Sequence, residues 1–116
     1  MSIVTITVSN DADFNRTFQY MTGGDFPMPI DLAGSSMEMM LRRRAEDEVA
    51  LLRLATATGE IVYTDTANGY FTVLIKQEVL ERLGLGDFEH SLILTRGESK
   101  TEVWSGTFTN NAGPTR

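Results

Sequence analysis

The 116-residue chain has no cysteine, one histidine, one tryptophan and three prolines. Without cysteine there is no disulfide framework, no thiol nucleophile and no cysteine-ligated zinc. The single histidine, His90, argues against a histidine-cluster metal site and a conventional triad. Basic residues are the minority: 10 Lys and Arg against 16 Asp and Glu leave a net charge of −6. A chain built to neutralise phosphate carries the opposite excess, so nucleic acid is not an expected partner. Long apolar runs are also missing. Val73-Leu74-Ile75 is representative of the longest, against about 20 apolar residues for a spanning helix. No membrane partner is expected. The opening Met1-Ser2-Ile3-Val4-Thr5 lacks the charged and apolar regions of an export signal, so synthesis in a cytoplasm is expected.

Apolar residues are numerous enough for one core in a chain of this length, and a single domain over residues 1–116 is expected. Short alternating segments are separated by turn chemistry. Ile3 to Val8 alternates β-branched residues and predicts a strand. Asn10-Asp11-Ala12-Asp13 reads as a turn. Phe14, Arg16, Phe18 and Tyr20 share one parity and predict a second strand with an aromatic face. Pro27 and Pro29 forbid a helix in the following loop. Ile61–Thr64 and Tyr70–Ile75, joined through Asn68-Gly69, form the clearest hairpin in the chain. Lys76 to Leu83 predicts two helical turns, stopped by Gly84 and Gly86. Strands follow at Phe88–Leu94 and Glu102–Thr109, with a turn at Gly97.

Ser35 to Ala57 supports two readings. Ser35 and Glu38 fit a capping box, and Met37, Met40, Leu41, Ala45, Val49 and Leu52 follow helical spacing. The alternative is two strands, Met37–Arg43 and Val49–Leu54, around a polar turn. Periodicity alone does not decide between them.

Few residues suggest chemistry. Ser91 follows His90, but adjacent strand residues point to opposite faces, so they do not form a dyad. Asn10-Asp11-Ala12-Asp13 lacks the central glycine and distal glutamate of a calcium loop. Gly84-Leu85-Gly86-Asp87 precedes a strand, whereas a phosphate loop opens a helix. Arg42-Arg43-Arg44 lies just before Glu46-Asp47-Glu48 and reads as a local ion-pair surface. Met37, Met39 and Met40 are read as core filling, and Trp104 as a core or an interface anchor. No catalytic, cofactor-binding or metal-ligating residue is expected. A cell-wall hydrolase using two carboxylates would need a pair that nothing in the sequence singles out.

From Ala50 onward the order of features is more specific. It runs Leu51-Leu52-Arg53-Leu54, Thr58-Gly59-Glu60-Ile61, Asn68-Gly69-Tyr70-Phe71-Thr72, and Gly86-Asp87-Phe88-Glu89-His90-Ser91-Leu92. It ends with Val103-Trp104-Ser105-Gly106-Thr107-Phe108-Thr109 and Gly113-Pro114-Thr115-Arg116. Upstream, Phe26-Pro27-Met28-Pro29-Ile30-Asp31-Leu32-Ala33-Gly34 precedes Met39-Met40-Leu41-Arg42. Across most of 14–116 this resembles small tailed-phage and prophage virion proteins, and is similar to the immunoglobulin-like N-terminal domain of upper baseplate proteins. The shared motifs are turn and strand signals. Where the group often has Tyr-Asp-Leu, this chain has His90-Ser91-Leu92. That departure concerns the aspartate's hydrogen bonding, not the strand.

The resemblance implies an all-β, immunoglobulin-like antiparallel β-sandwich with one short helix near 76–83, and so favours strands in the ambiguous stretch. The termini at 1–9 and 110–116 are expected to be extended. The implied function is that of a structural component of a tailed-phage particle, an assembly or adaptor protein at the tail tip, baseplate or capsid spike. Its implied partners are other virion proteins in a symmetric, multi-copy assembly, and its implied location is the virion. Ile3, Thr5, Thr7, Trp104, Phe108, Thr115 and Arg116 are the interface candidates, and removal of residues 1–8 is expected to leave the domain folded. The alternative is a carbohydrate or host-receptor-binding module, with Tyr20, Tyr63, Tyr70 and Trp104 as stacking surfaces.

Overall fold

The structure, a computed structural model, describes residues 2–22, 25–44 and 46–113. Its elements are β1 (Ser2–Ile3), β2 (Ile6–Ser9), β3 (Phe14–Gln19), β4 (Ser36–Arg42), β5 (Leu52–Ala55), β6 (Ile61–Asp65), β7 (Tyr70–Ile75), α1 (Gln77–Leu83), β8 (Gly86–Arg96) and β9 (Ser99–Asn111). They make two sheets. The larger has the order β1-β9-β8-β4-β5, with β2 also paired to β9, and the smaller is β3-β7-β6.

The ambiguous stretch forms strands, not a helix. Met37, Met39 and Leu41 are buried on one face of β4, while Ser36, Glu38, Met40 and Arg42 lie on the other. The same apolar residues satisfy period 2 and period 3.6. Tertiary pairing decides, because β8 offers a ladder from Ser36↔Thr95 to Arg42↔Glu89, and β5 pairs on the other side at Met39↔Leu54. Ser35, the N-cap of the helical reading, donates its hydroxyl to the Leu32 carbonyl at 2.5 Å.

The immunoglobulin plan has one sheet in the order A-B-E-D and one with C-F-G, extended by C′ in variable-type domains. Here β9-β8-β4-β5 follows G-F-C-C′ and β3-β7-β6 follows B-E-D. The all-β sandwich implied by the resemblance is therefore the fold observed. One feature departs from the antiparallel pattern: β1 and β2 run parallel to β9.

The predicted strand Ile3–Val8 is interrupted at Val4-Thr5, yet Ile3↔Ser105 and Ile6↔Phe108 keep the same offset. The interruption lies opposite Gly106, where any β-carbon would collide with the Val4 carbonyl. Glycine lets the two backbones approach. In the predicted hairpin, Gly69 has φ 77° and a β-carbon there would lie 2.5 Å from the Tyr20 carbonyl oxygen. Glycine is required at that position by both conformation and space.

The core fills the space between the sheets. Ile6, Met39, Leu41, Leu92, Phe88 and Phe108 come from the larger sheet, and Ile61, Phe71, Val73 and Ile75 from the smaller. One end is closed by α1, whose Leu80 is fully buried. Helix α1 has no side-chain cap of its own. Instead the Gln77 N–H donates to Asp13 Oδ1 at 2.7 Å, and Lys76 Nζ lies 3.8 Å from Asp13 Oδ2. At its other end, the buried Asn110 side chain donates Nδ2–H to the carbonyls of Leu80, at 2.7 Å, and Gly84, at 2.9 Å. Asn10 Oδ1 accepts the Gly113 N–H at 2.9 Å. The described parts of both termini are thereby docked: residues 6–9 lie in the larger sheet and Asn110 and Asn111 end β9.

Candidate functional site

Two of the depressions among the described residues bear on the site. The first is a cleft of about 550 Å3 between the β3 side of the small sheet and β9. Aromatic rings line it: Phe18 from β3, Phe71 from β7, Trp104 from β9, and Tyr20 just beyond β3. The Phe18 and Trp104 ring centroids are 4.7 Å apart, those of Phe71 and Trp104 5.6 Å, and those of Phe18 and Phe71 5.7 Å. This cluster packs rings of β3 and β7 in the smaller sheet against Trp104 of β9 in the larger one. Trp104 is only 5% exposed, and its indole N–H has no acceptor among the described residues. Glu102 and Gln19 supply polar groups at the cleft.

A flap from the β3–β4 connection borders this cleft. The Thr22 N–H bonds the Met28 carbonyl at 2.8 Å, and the Ile30 N–H bonds the Tyr20 carbonyl at 3.0 Å. Met21, Phe26 and Met28 on the same connection are exposed, Phe26 by 89%.

The second depression, about 420 Å3, lies on the larger sheet. Ile3, Met40, Arg42, Glu89, Ser91 and Thr107 are among its lining residues. Ser91 pairs with both Met40 and Ser105, so small hydroxyl residues lie between larger neighbours.

The interface candidates separate into three groups. Ile3, Thr5 and Thr7 are exposed, Ile3 by 81%. Trp104 and Phe108 do not present themselves as a surface; they are buried because their parity on β9 faces the other sheet. Both pack in the core of the single chain, and Trp104 also lines the cleft. Thr115 and Arg116 lie outside the described residues.

His90 lies on the buried face of β8. Its Nε2 is 2.8 Å from the Val4 carbonyl, which fixes that nitrogen as the N–H donor. Its Nδ1 is buried without a partner among the described residues. Burial pushes the imidazole pKa below its ordinary value, and the Val4 carbonyl opposes that shift. The remaining sequence motifs have local uses. Asn10-Asp11 and Asp13 organise the chain ends and α1. Arg42 Nε donates to the Asp47 carbonyl at 2.8 Å, and the Arg43 guanidinium stacks 4.1 Å from the Phe88 ring centroid. Among the described residues, no three His, Cys, Asp or Glu side chains converge to hold a metal ion. No helix among them is long and apolar enough to cross a membrane.

No family model matches the chain, and no curated protein matches it. Among solved structures, the N-terminal domain of phage TP901-1 ORF48 is similar over 96% of this chain and 84% of its own, with a TM-score of 0.51 and 17% identity. The structure of Dpr1 IG1 bound to DIP-eta IG1 gives a TM-score of 0.41 at 14% identity, covering 97% of this chain and 91% of the other. Murine CRIg gives 0.43 at 9% identity, covering 94% and 92%. At these identities the likeness to the phage domain is one of fold.

Proposed function

We propose that this chain is a structural component of a tailed-phage particle, acting as an assembly or adaptor protein that offers contact surface to other virion proteins. The supporting observation is the correspondence, over 96% of the chain, with the fold of the N-terminal domain of a phage protein. The sequence motifs that resemble small virion proteins point the same way. Site chemistry is in keeping with a role in contacts: the one histidine is spent on holding the Val4 backbone. Exposed strand edges and the apolar flap provide the contact surface. The receptor-binding alternative has less support, since Trp104 is buried and the Tyr63 hydroxyl meets Ser35 Oγ at 3.0 Å.

The test is to delete the gene in its phage and to follow an epitope-tagged copy through a density gradient. The proposal expects the tagged chain in the particle band and defective particles without it. Infective particles lacking the chain, with the tagged copy left at the top of the gradient, would overturn it.

A further inference from the structure

Three observations coincide on one side of the sandwich. The first is an uncovered edge. The Tyr20 N–H bonds the Gly69 carbonyl at 2.8 Å, in register with the β3–β7 ladder. Even-numbered β3 residues therefore turn their main-chain groups toward β7, and those of Asn15, Thr17 and Gln19 point outward. In the immunoglobulin plan, strand A covers this edge. Here the N-terminal strands lie on β9, and no described strand lies beside β3. The other outer strands are short or irregular: β1 has 2 residues, β2 and β5 have 4 each, and β6 shifts register between Tyr63 and Asp65. β3 runs 6 residues without proline or register shift.

The second observation is the cleft beside that edge, which Trp104 helps to line; its indole N–H is buried with no acceptor among the described residues. The third is Arg16. It shares the inward parity of Phe14 and Phe18, and its guanidinium lies 5.0 Å from the Phe18 ring centroid, yet it is exposed. The inter-sheet side of β3 is thus open to solvent there.

We infer that the β3 edge and the adjoining cleft form a strand-acceptor site. Its occupant is an extended segment of a different protein, with an acidic side chain opposite Arg16 and an apolar one against Phe18 and Trp104. This rests on the assembly reading and names its contact surface. Outward N–H and C=O groups at every second residue are matched by the backbone of another strand. An inward charge on an edge strand repels most strands, because a neutral or basic one would cover the guanidinium without a partner. A carboxylate converts that barrier into a charge-assisted hydrogen bond. The same residue disfavours a second copy. Antiparallel β3–β3 pairing in a central register sets two Arg16 side chains opposite or diagonal to each other, and each chain carries a net charge of −6.

The test uses the full chain and a capped seven-residue peptide alternating threonine and valine, with one inward valine replaced by glutamate. Amide exchange and chemical shifts are read by NMR. The proposal expects slowed exchange at Asn15, Thr17 and Gln19, and a shift of the Trp104 indole proton. Replacing the peptide glutamate with lysine should weaken binding about tenfold or more, and Arg16→Glu should reverse that preference. Thr17→Pro removes an outward N–H and should abolish binding; because it also removes the 2.7 Å Thr17–Thr72 hydroxyl contact, the exposed Arg16→Glu serves as the fold-neutral variant. Perturbation centred on β5 or β6, equal binding of both peptides, or no binding would overturn the proposal. So would concentration-dependent dimerisation that Arg16→Glu alters, which would give the site to a second copy. Because this assay needs no particle, it can fail while the chain still co-purifies with virions, and the reverse.

Discussion

The Val4 carbonyl oxygen lies 2.8 Å from Nε2 of His90, at the break between β1 and β2. The ring is enclosed by Leu41 paired from β4, Gly106 paired from β9, and the Trp104 and Phe108 rings at 6.4 and 6.3 Å. Protonation would place a second N–H at Nδ1, where no acceptor is found among the described residues. Burial lowers the folded pKa, so the unfolded chain binds the proton more readily. Stability is unaffected above the ordinary histidine value of about 6.5 and falls as pH drops from there toward the lowered folded value, by at most about 1.4 kcal/mol per pH unit. Denaturant titrations between pH 7.5 and 5 (about one unit either side of the ordinary value) should show this loss. His90→Gln keeps an N–H donor for Val4 without titrating, so its stability should change less over that range. Equal pH dependence in both proteins would refute the assignment.

Deletions should separate two parts of the N-terminal segment. Ile6 and Val8 are buried and β2 pairs with Phe108 to Asn111, whereas Ile3 is exposed. Removing residues 2–5 should cost little beyond the Val4 contacts, roughly 1–3 kcal/mol. Extending the deletion to residue 8 removes Ile6 and Val8, adding roughly 2–5 kcal/mol per large side chain lost. The shorter variant should melt cooperatively and the longer one should be largely unfolded by circular dichroism. This replaces the expectation that residues 1–8 are dispensable for folding.

Gly106→Ala should act through the same segment. Its methyl group would collide with the Val4 backbone, so β1 must shift and the His90 bond is lost. A cost of about 1–3 kcal/mol is expected in the full chain. In a chain already lacking residues 2–5 the collision is gone, and the substitution should cost less, keeping only the strain of a β-carbon at φ 157°. That non-additivity is measurable as a double-mutant cycle. Equal costs in both backgrounds would place the effect elsewhere.

How far the sequence reveals this fold depends on whether information is local. The β6–β7 hairpin is legible because Asn68-Gly69 supplies its turn, and α1 because Gly84 ends it. The fate of 35–57 is not, since Met37, Met40, Leu41 and Leu52 fit a helix until β8 supplies a ladder. The family resemblance supplied strands there; periodicity did not. Parallel pairing of β1 and β2 with β9 joins residues about 102 positions apart and leaves no local mark. The aromatic parity of Phe14, Phe18 and Tyr20 was a signal of the cleft, but its other wall, Trp104, could not be assigned to core or surface from sequence. The Asp13 cap on Gln77 is similarly hidden, because the donor and acceptor are 64 residues apart.

Asn110 offers a test of the closed end of the sandwich that changes almost no volume. Its Nδ2 donates to two carbonyls at the C-terminal end of α1, and the residue is only 1% exposed. Asn110→Asp keeps the shape but replaces both donors by a carboxylate facing carbonyl oxygens at the negative end of the helix dipole. At neutral pH two hydrogen bonds are lost and a buried charge is unpaired, so a cost of about 3–5 kcal/mol is expected. Protonation removes the charge and restores one O–H donor. The gap between variant and parent should therefore narrow as pH falls, opposite in sign to the His90 effect. Exchange of the Gly86–Phe88 amides, next to the released helix end, should accelerate before that of the β4–β8 ladder. A variant as stable as the parent at pH 7 would show that these two bonds do not hold α1 on the sandwich.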